Sequence, residues 1–322
     1  MPGSATPSPQ PQLLREIVGA AIHAPSSHNT QPWLFRLAGG AIELYADRTR
    51  ALPVNDPHDR ELTLSCGAAL LTLRVGAAHA GLAASVDVIP EPGDPDLLAR
   101  VRLERGAPAA ELAALFDAVS YRRTYRELFD HATPIPADLL DGLAAAAAAE
   151  GAWMAVLEGD AREAFIALVD EGDRALFADP SWRRELAVWL HPRRRGDGLT
   201  APALTAPIER TLVRHVDLGK SIAGRDADLA RKSEVLAVIG SDGDDAAAWL
   251  AAGQALQRAL LVNAARGLQA SYLNQPLQVA ELRPKVQHLL RRSGFPQVAV
   301  RLGWPAGELR HTPRRPLDDV LL

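Results

Sequence analysis

Cysteine is almost absent from the 322 residues. Cys66 stands alone in the apolar run Leu62-Thr63-Leu64-Ser65-Cys66-Gly67, which excludes an internal disulfide and a cysteine-rich metal site and leaves a core thiol as its expected role. Neither sign of charge dominates. With 35 basic against 39 acidic residues and a formal net charge of −4, the chain has no field to gather nucleic acid or an anionic membrane. No apolar run reaches the roughly 20 residues of a membrane span. The N-terminus also lacks the basic-then-apolar order of a secretion signal, so a cytoplasmic protein is expected. Three signatures are missing too. No G-x-G-x-x-G turn opens a helix, so a nicotinamide nucleotide would bind transiently rather than in a Rossmann domain. No G-x-S-x-G elbow surrounds Ser26 or Ser27, and His23 and His28, five positions apart, make no helical zinc pair.

At 34.5 kDa and 48% hydrophobic residues, the chain can bury a large core, as one big domain or two ordinary ones. Residues 1–12, rich in Pro and Ser, predict a disordered tail. Apolar residues at helical spacing from Leu13 to Ala24 predict a helix that Pro25 ends. A polar stretch, Ser26 to Gln31, follows. It reads either as a helix-to-strand turn whose side chains cap backbone groups or as a loop pressed against a flat polar ligand. Trp33–Leu37 and Ala41–Tyr45 around Gly39-Gly40 predict a hairpin, and Glu61–Gly81 a long apolar helix whose small residues admit a close neighbour.

The pattern then recurs. Gly67, Ala69, Leu70, Ala78, Gly81 and Leu82 reappear as Gly253, Ala255, Leu256, Ala264, Gly267 and Leu268, all at one offset of 186 positions. This predicts two halves, 13–106 and 107–322. The halves are unequal. Leu13 to Trp33 is six positions longer than its counterpart Leu139 to Trp153, and the difference is the polar loop. The second half alone carries the basic turn Tyr121-Arg122-Arg123-Thr124-Tyr125-Arg126. Each half keeps what the other lacks, as expected where one composite site survives from a symmetric pair. An insertion of about 178–231 holds Trp182, Trp189 and the run Arg193-Arg194-Arg195. It reads as a solvated arm or as a lid that excludes water.

Arg122, Arg123, Thr124 and Arg126 place three guanidinium groups and a hydroxyl within five positions, a set that suits a phosphate dianion or a plain basic surface turn. Four stretches together resemble the nitroreductase family. They are Ala24-Pro25-Ser26-x-x-Asn29-x-Gln31-Pro32-Trp33, the Arg122–Arg126 turn with Thr124 where serine is usual, Gly267–Pro276, and the strand Val298–Pro305 followed by Arg314-Arg315-Pro316. The duplicated arrangement is most similar to the Acg-like branch, in which one chain folds as a pseudo-dimer. The resemblance implies an α+β flavin mononucleotide (FMN) fold with NAD(P)H as transient reductant and a small-molecule acceptor such as a nitroaromatic or quinone. It further implies that the chain acts as a monomer, with no protein acid or base. Pro25, Ser26, Ser27 and Asn29 would face the flavin ring, and Leu273, Asn274 and Gln275 its N5 edge. Arg122, Arg123, Thr124, Arg126, Arg314 and Arg315 would hold the phosphate. Not all members of that branch are shown to reduce nitro compounds, and a lid over the flavin is tied to storage, which leaves a flavin-sequestering protein as the alternative.

Overall fold

In the computed structural model, residues 9–190, 196–199 and 219–322 are described. The first eight residues of the expected tail and Arg193–Arg195 lie outside them. The chain is α+β throughout. Helix α1 (Pro11–Ala21) leads through the polar loop into β1 (Trp33–Ala38) and β2 (Ala41–Ala46), and Gly39 and Gly40 supply the positive φ of the tight turn between them. Then come α2 (Arg60–His79), β3 (Leu82–Val88) and β4 (Leu97–Arg105), giving an antiparallel sheet ordered β1-β2-β4-β3.

Two short helices, α3 (Ala110–Ala113) and α4 (Phe116–Tyr121), come next. A two-residue strand, β5 (Phe129–Asp130), follows, and the second half proper begins at α5 (Ala137–Ala148). Beyond it lie β6 (Trp153–Val156), helices α6 (Gly159–Ala178), α7 (Pro180–Trp189) and α8 (Gly219–Arg231), β7 (Val235–Ser241) and α9 (Ala246–Ala265). The chain closes through β8 (Gln269–Tyr272), the short α10 (Gln275–Gln278), α11 (Arg283–Leu289) and β9 (Phe295–Pro305). The second sheet runs β6-β7-β9-β8, the order of the first sheet element for element, with β5 added on the outer end of β9.

Helices α2 and α9 have bounds that differ by the same 186 positions as the repeated residues, and each is followed by a glycine at positive φ, Gly81 and Gly267. Both are buried on nearly every side because they pack on one another and on both sheets; such helices need no amphipathic stripe. By length and composition α2 would also suit a membrane, but its apolar surface is spent inside the protein. Several polar groups join in this contact. Glu150 accepts from Arg74 of α2 and from Arg258 of α9, and Gln257 donates to Thr72. Cys66 is a buried thiol that donates to the Pro32 carbonyl, as expected of a core cysteine.

The halves also exchange ends. The C-terminal segment crosses back so that Leu321 bridges Phe35 of β1 and the Leu322 N–H donates to the Phe35 carbonyl. In the first half two glycines join the hairpin strands, whereas in the second everything from Leu157 to Glu234 lies between β6 and β7. The excursion therefore starts before residue 178 and includes α6, which packs along α8.

Candidate functional site

The polar loop is held in a conformation that ordinary side chains resist. His28, Asn29 and Gln31 all lie in the left-handed region, with φ of 49°, 55° and 51°. Three non-glycine residues in that region within four positions cost free energy that surrounding contacts must offset. Those contacts are visible. Ser26 Oγ accepts from the Gln31 N–H at 2.9 Å, and Ser27 Oγ donates to Glu61 at 2.7 Å. Asn29 Nδ2 donates to the carbonyls of Gly198 and Pro313, both at 3.2 Å, while its Oδ1 accepts from Arg314. The serine and asparagine side chains thus shape the loop, and His28 lines the space beside it.

The basic turn is set by the sheet of its own half. Tyr125 N–H donates to the Ala270 carbonyl at 2.9 Å and Thr124 bridges the same residue, so the turn is laid along β8. Gln269 Oε1 accepts from the Arg123 N–H at 2.7 Å. From this position Arg122 donates to the His23 carbonyl at 3.2 Å, and Arg314 donates to the same oxygen at 3.1 Å. One carbonyl of the first half therefore receives guanidinium groups from two separate stretches of the second.

Between the loop and the turn lies a cavity of about 630 Å³. It brings together Pro25, Ser26, Ser27, Asn29, Arg122, Arg123, Thr124, Arg126, Leu273, Asn274, Gln275 and Arg314. Arg315 is the exception among the expected residues. Its guanidinium turns the other way, donating to the Gln31, Trp33 and Asp319 carbonyls and pairing with Asp47 at 3.2 Å, so it fastens the crossing C-terminal segment to the first half. Asn274 lines the cavity, but its Oδ1 accepts from the Ala299 N–H at 2.9 Å and so continues the pairing of β8 along β9.

The electrostatics of the arginine end are one-sided. Among the described residues no carboxylate pairs with Arg122, Arg123, Arg126 or Arg314, whereas Arg50, Arg74, Arg258 and Arg315 each have one. The Nε atoms of Arg122, Arg123 and Arg314 are buried without a partner. Burial, then repulsion from Arg122 and Arg123, pushes Arg314 down to about 9. Burial lowers Arg122 and Arg126 as well. Buried cations that repel one another and lack anions form a site ready for a ligand dianion.

No protein-family model matches the chain. A Mycobacterium tuberculosis protein named "Putative NAD(P)H nitroreductase Rv3131" is 33% identical over 328 residues, covering 97% of this chain and 92% of the relative. The chain belongs to the nitroreductase family. Another relative from that organism, the uncharacterized protein Rv3127, is 30% identical over 96% of this chain and 92% of its own length. Among solved structures, the FMN- and NADPH-dependent nitroreductase NfnB of a Sphingopyxis strain is 17% identical with a TM-score of 0.43, covering 64% of this chain and 96% of that one.

Several residues of this nitroreductase's cavity escaped the motif reading. Glu61 and Ser65 come from α2, where they stand within a run that reads as core. Tyr272 places a buried, unpartnered hydroxyl near Arg122, Arg126 and Arg314. Arg301 lies inside β9, donating to the Tyr125 carbonyl at 3.0 Å and stacking over Phe129. His28 is held down to about 4 by burial and by Arg126, so its ring is neutral near pH 7. The excursion supplies a wall as well. Asp173, Phe177, Trp182, Leu199, Asp226 and Leu229 all line the cavity.

Proposed function

We propose that the chain is an NAD(P)H-dependent oxidoreductase that holds one FMN in the junction cavity and passes electrons to a small acceptor such as a nitroaromatic or a quinone. What supports it is the meeting of the two unequal motifs on one cavity. A loop from the first half and four carboxylate-free arginines from the second face the same space. The fit to a flavin phosphate rests on the unpartnered Nε atoms of Arg122, Arg123 and Arg314, because buried guanidinium groups call for an anion. Bound FMN supplies the two-electron chemistry between the nicotinamide and the acceptor. Arg122, Arg123, Thr124, Arg126 and Arg314 bind the phosphate. Pro25 to Asn29 pack against the ring, and Leu273 to Gln275 border its reacting edge. Because both motifs sit in one chain, a monomer completes the site as an internal pseudo-dimer. Reliance on NAD(P)H favours the cytoplasm.

The supporting experiment is the double substitution Arg122→Ala with Arg126→Ala. The purified variant is expected to be colourless and to gain no visible absorbance with added FMN, whereas the parent is yellow. Equal flavin retention would remove the phosphate assignment.

A second reading, flavin storage beneath a lid, is favoured by the way the excursion is fastened to the first half. Trp182 Nε1 donates to Asn55 at 2.8 Å, Glu185 accepts from the Val54 and Asn55 N–H groups, Asp197 pairs with Arg50, and the Gly198 N–H donates to the Asn29 carbonyl at 3.2 Å. Anaerobic mixing with NADPH separates the readings. Rapid bleaching of the parent supports the reductase. Bleaching that becomes rapid only after Trp182→Phe with Arg50→Ala supports storage.

A further inference from the structure

The arginine end of the cavity accounts for a phosphate, but the wall built by the excursion carries an opposite feature that a flavin does not explain. Gly172 of α6 lies so close to Gln275 that a Cβ there would stand 2.9 Å from its backbone carbon, and this close approach brings the next residue, Asp173, onto the cavity wall. Asp173 is 3% exposed, and its Oδ2 has no hydrogen-bond partner. Asp226 of α8 reaches the same place, its Oδ2 accepting from Gln275 Nε2 at 2.8 Å.

The charges around this pair are unequally shared. Asp226 is faced by Arg225 and Arg301. Asp170, one turn before Asp173 on α6, pairs with Arg174 at 2.8 Å. Among the described residues no cation bears on Asp173, which meets the carboxylates of Asp226 and Asp170 and the amide of Gln275. Elsewhere on α6, Glu171 pairs with Lys285 and Arg162 donates to the Ala230 and Ser233 carbonyls. Burial and the Asp226 charge together push Asp173 up to about 7. An acceptor oxygen enclosed in apolar surroundings, here Leu176, Phe177 and Leu229, is costly unless something donates to it.

We propose that Asp173, with Asp226 beside it, is the acceptor-recognition subsite of the cavity and selects small electron acceptors that carry a protonated amine. The subsite rests on the flavoprotein reading for the role of its ligand, though not for its affinity. The ammonium group supplies a positive charge beside Asp173 and donates to the free Oδ2, while the aromatic body of the ligand lies against Phe177 and Trp182. Binding an ammonium favours the ionised carboxyl, so Asp173 gives up its proton as the ligand enters, and affinity rises with pH from 6 to 8.

The test is calorimetric titration of the full-length, flavin-loaded protein with 4-nitrobenzylamine, 4-nitrobenzyl alcohol and 4-nitrobenzoate, which differ in charge on one frame. The amine is expected to bind at least tenfold more tightly than the alcohol, and the benzoate most weakly. Asp173→Asn should bring the amine down to the alcohol. Repeating the parent titration in two buffers of different ionisation enthalpy should show proton release with the amine and none with the alcohol, a readout that needs no variant. Equal affinities for amine and alcohol, a preference that survives Asp173→Asn, or no proton release would each overturn the proposal. A colourless protein that still prefers the amine through Asp173 would count against FMN and leave the subsite standing.

Discussion

Gly67 and Gly253 face each other where the two long helices cross, and their surroundings are reciprocal. A Cβ on Gly67 would lie 2.2 Å from the Leu250 carbonyl oxygen, and one on Gly253 would lie 2.1 Å from that of Leu64. Each would also come within 3.0 Å of the other glycine's Cα. Leu64 and Leu250 are themselves related by the same 186 positions, so the contact has the form of a two-fold interface between copies, here within one chain.

That reciprocity predicts matched penalties. Gly67→Ala and Gly253→Ala should each destabilise the fold by about 1–3 kcal/mol, because an added methyl meets backbone that cannot rotate away. Once one methyl has pushed the helices apart the second meets less resistance, so the double variant should lose less than the sum of the two. Urea denaturation followed by far-UV circular dichroism measures this. Silent single substitutions would contradict the close crossing.

Arg314 and Arg315, adjacent in sequence, should respond oppositely. Arg315→Ala leaves Asp47 buried without its cation and should cost about 3–5 kcal/mol of stability. Arg314→Ala removes a mutually repelling charge, so thermal stability should hold or rise while FMN retention falls. A Tm and a flavin absorbance spectrum on each variant decide the matter. Loss of flavin with full stability in Arg315→Ala would reverse the assignment.

Two buried cavity groups bend the stability of the ligand-free protein in opposite directions with pH. Asp173, pushed up to about 7, holds its proton in the fold longer than in the unfolded chain, so stability is lost as pH rises from near 4 to about 7. His28, held down to about 4, refuses a proton that the unfolded chain accepts below its ordinary value of 6.5, so stability is lost as pH falls through that window. Asp173→Asn should remove the first loss and move the pH of maximal Tm upward. Parallel Tm curves for parent and variant between pH 4 and 8 would show that Asp173 titrates normally.

Local patterns carried much of the site. The polar loop and the basic turn were legible because each packs its chemistry into a few consecutive residues, and the long helices because their glycines repeat at a constant offset. Arg315 was misplaced because spacing along an extended segment does not say which of two neighbours turns inward; that is settled by Asp47 and the carbonyls waiting in the other half. Asp173 could not be read as a site residue, and Asp226 and Trp182 fell in a segment that read as either a solvated arm or a lid. Their helices lie far from the motifs in sequence, and only the press of Gly172 on Gln275 and the hold of Asn55 on Trp182 bring them to the cavity.

The sequence by itself pointed to most of the elements, to residues repeating at one constant offset and to the polar loop and basic turn lying in separate stretches, because helical spacing, turn residues and clustered arginines act over short stretches. The tertiary structure alone decided that those stretches face one space, that Arg314 looks in while Arg315 looks out, and that the buried Asp173 carboxyl has no cation beside it among the described residues. Close approach, burial and unbalanced charge arise only when distant segments meet.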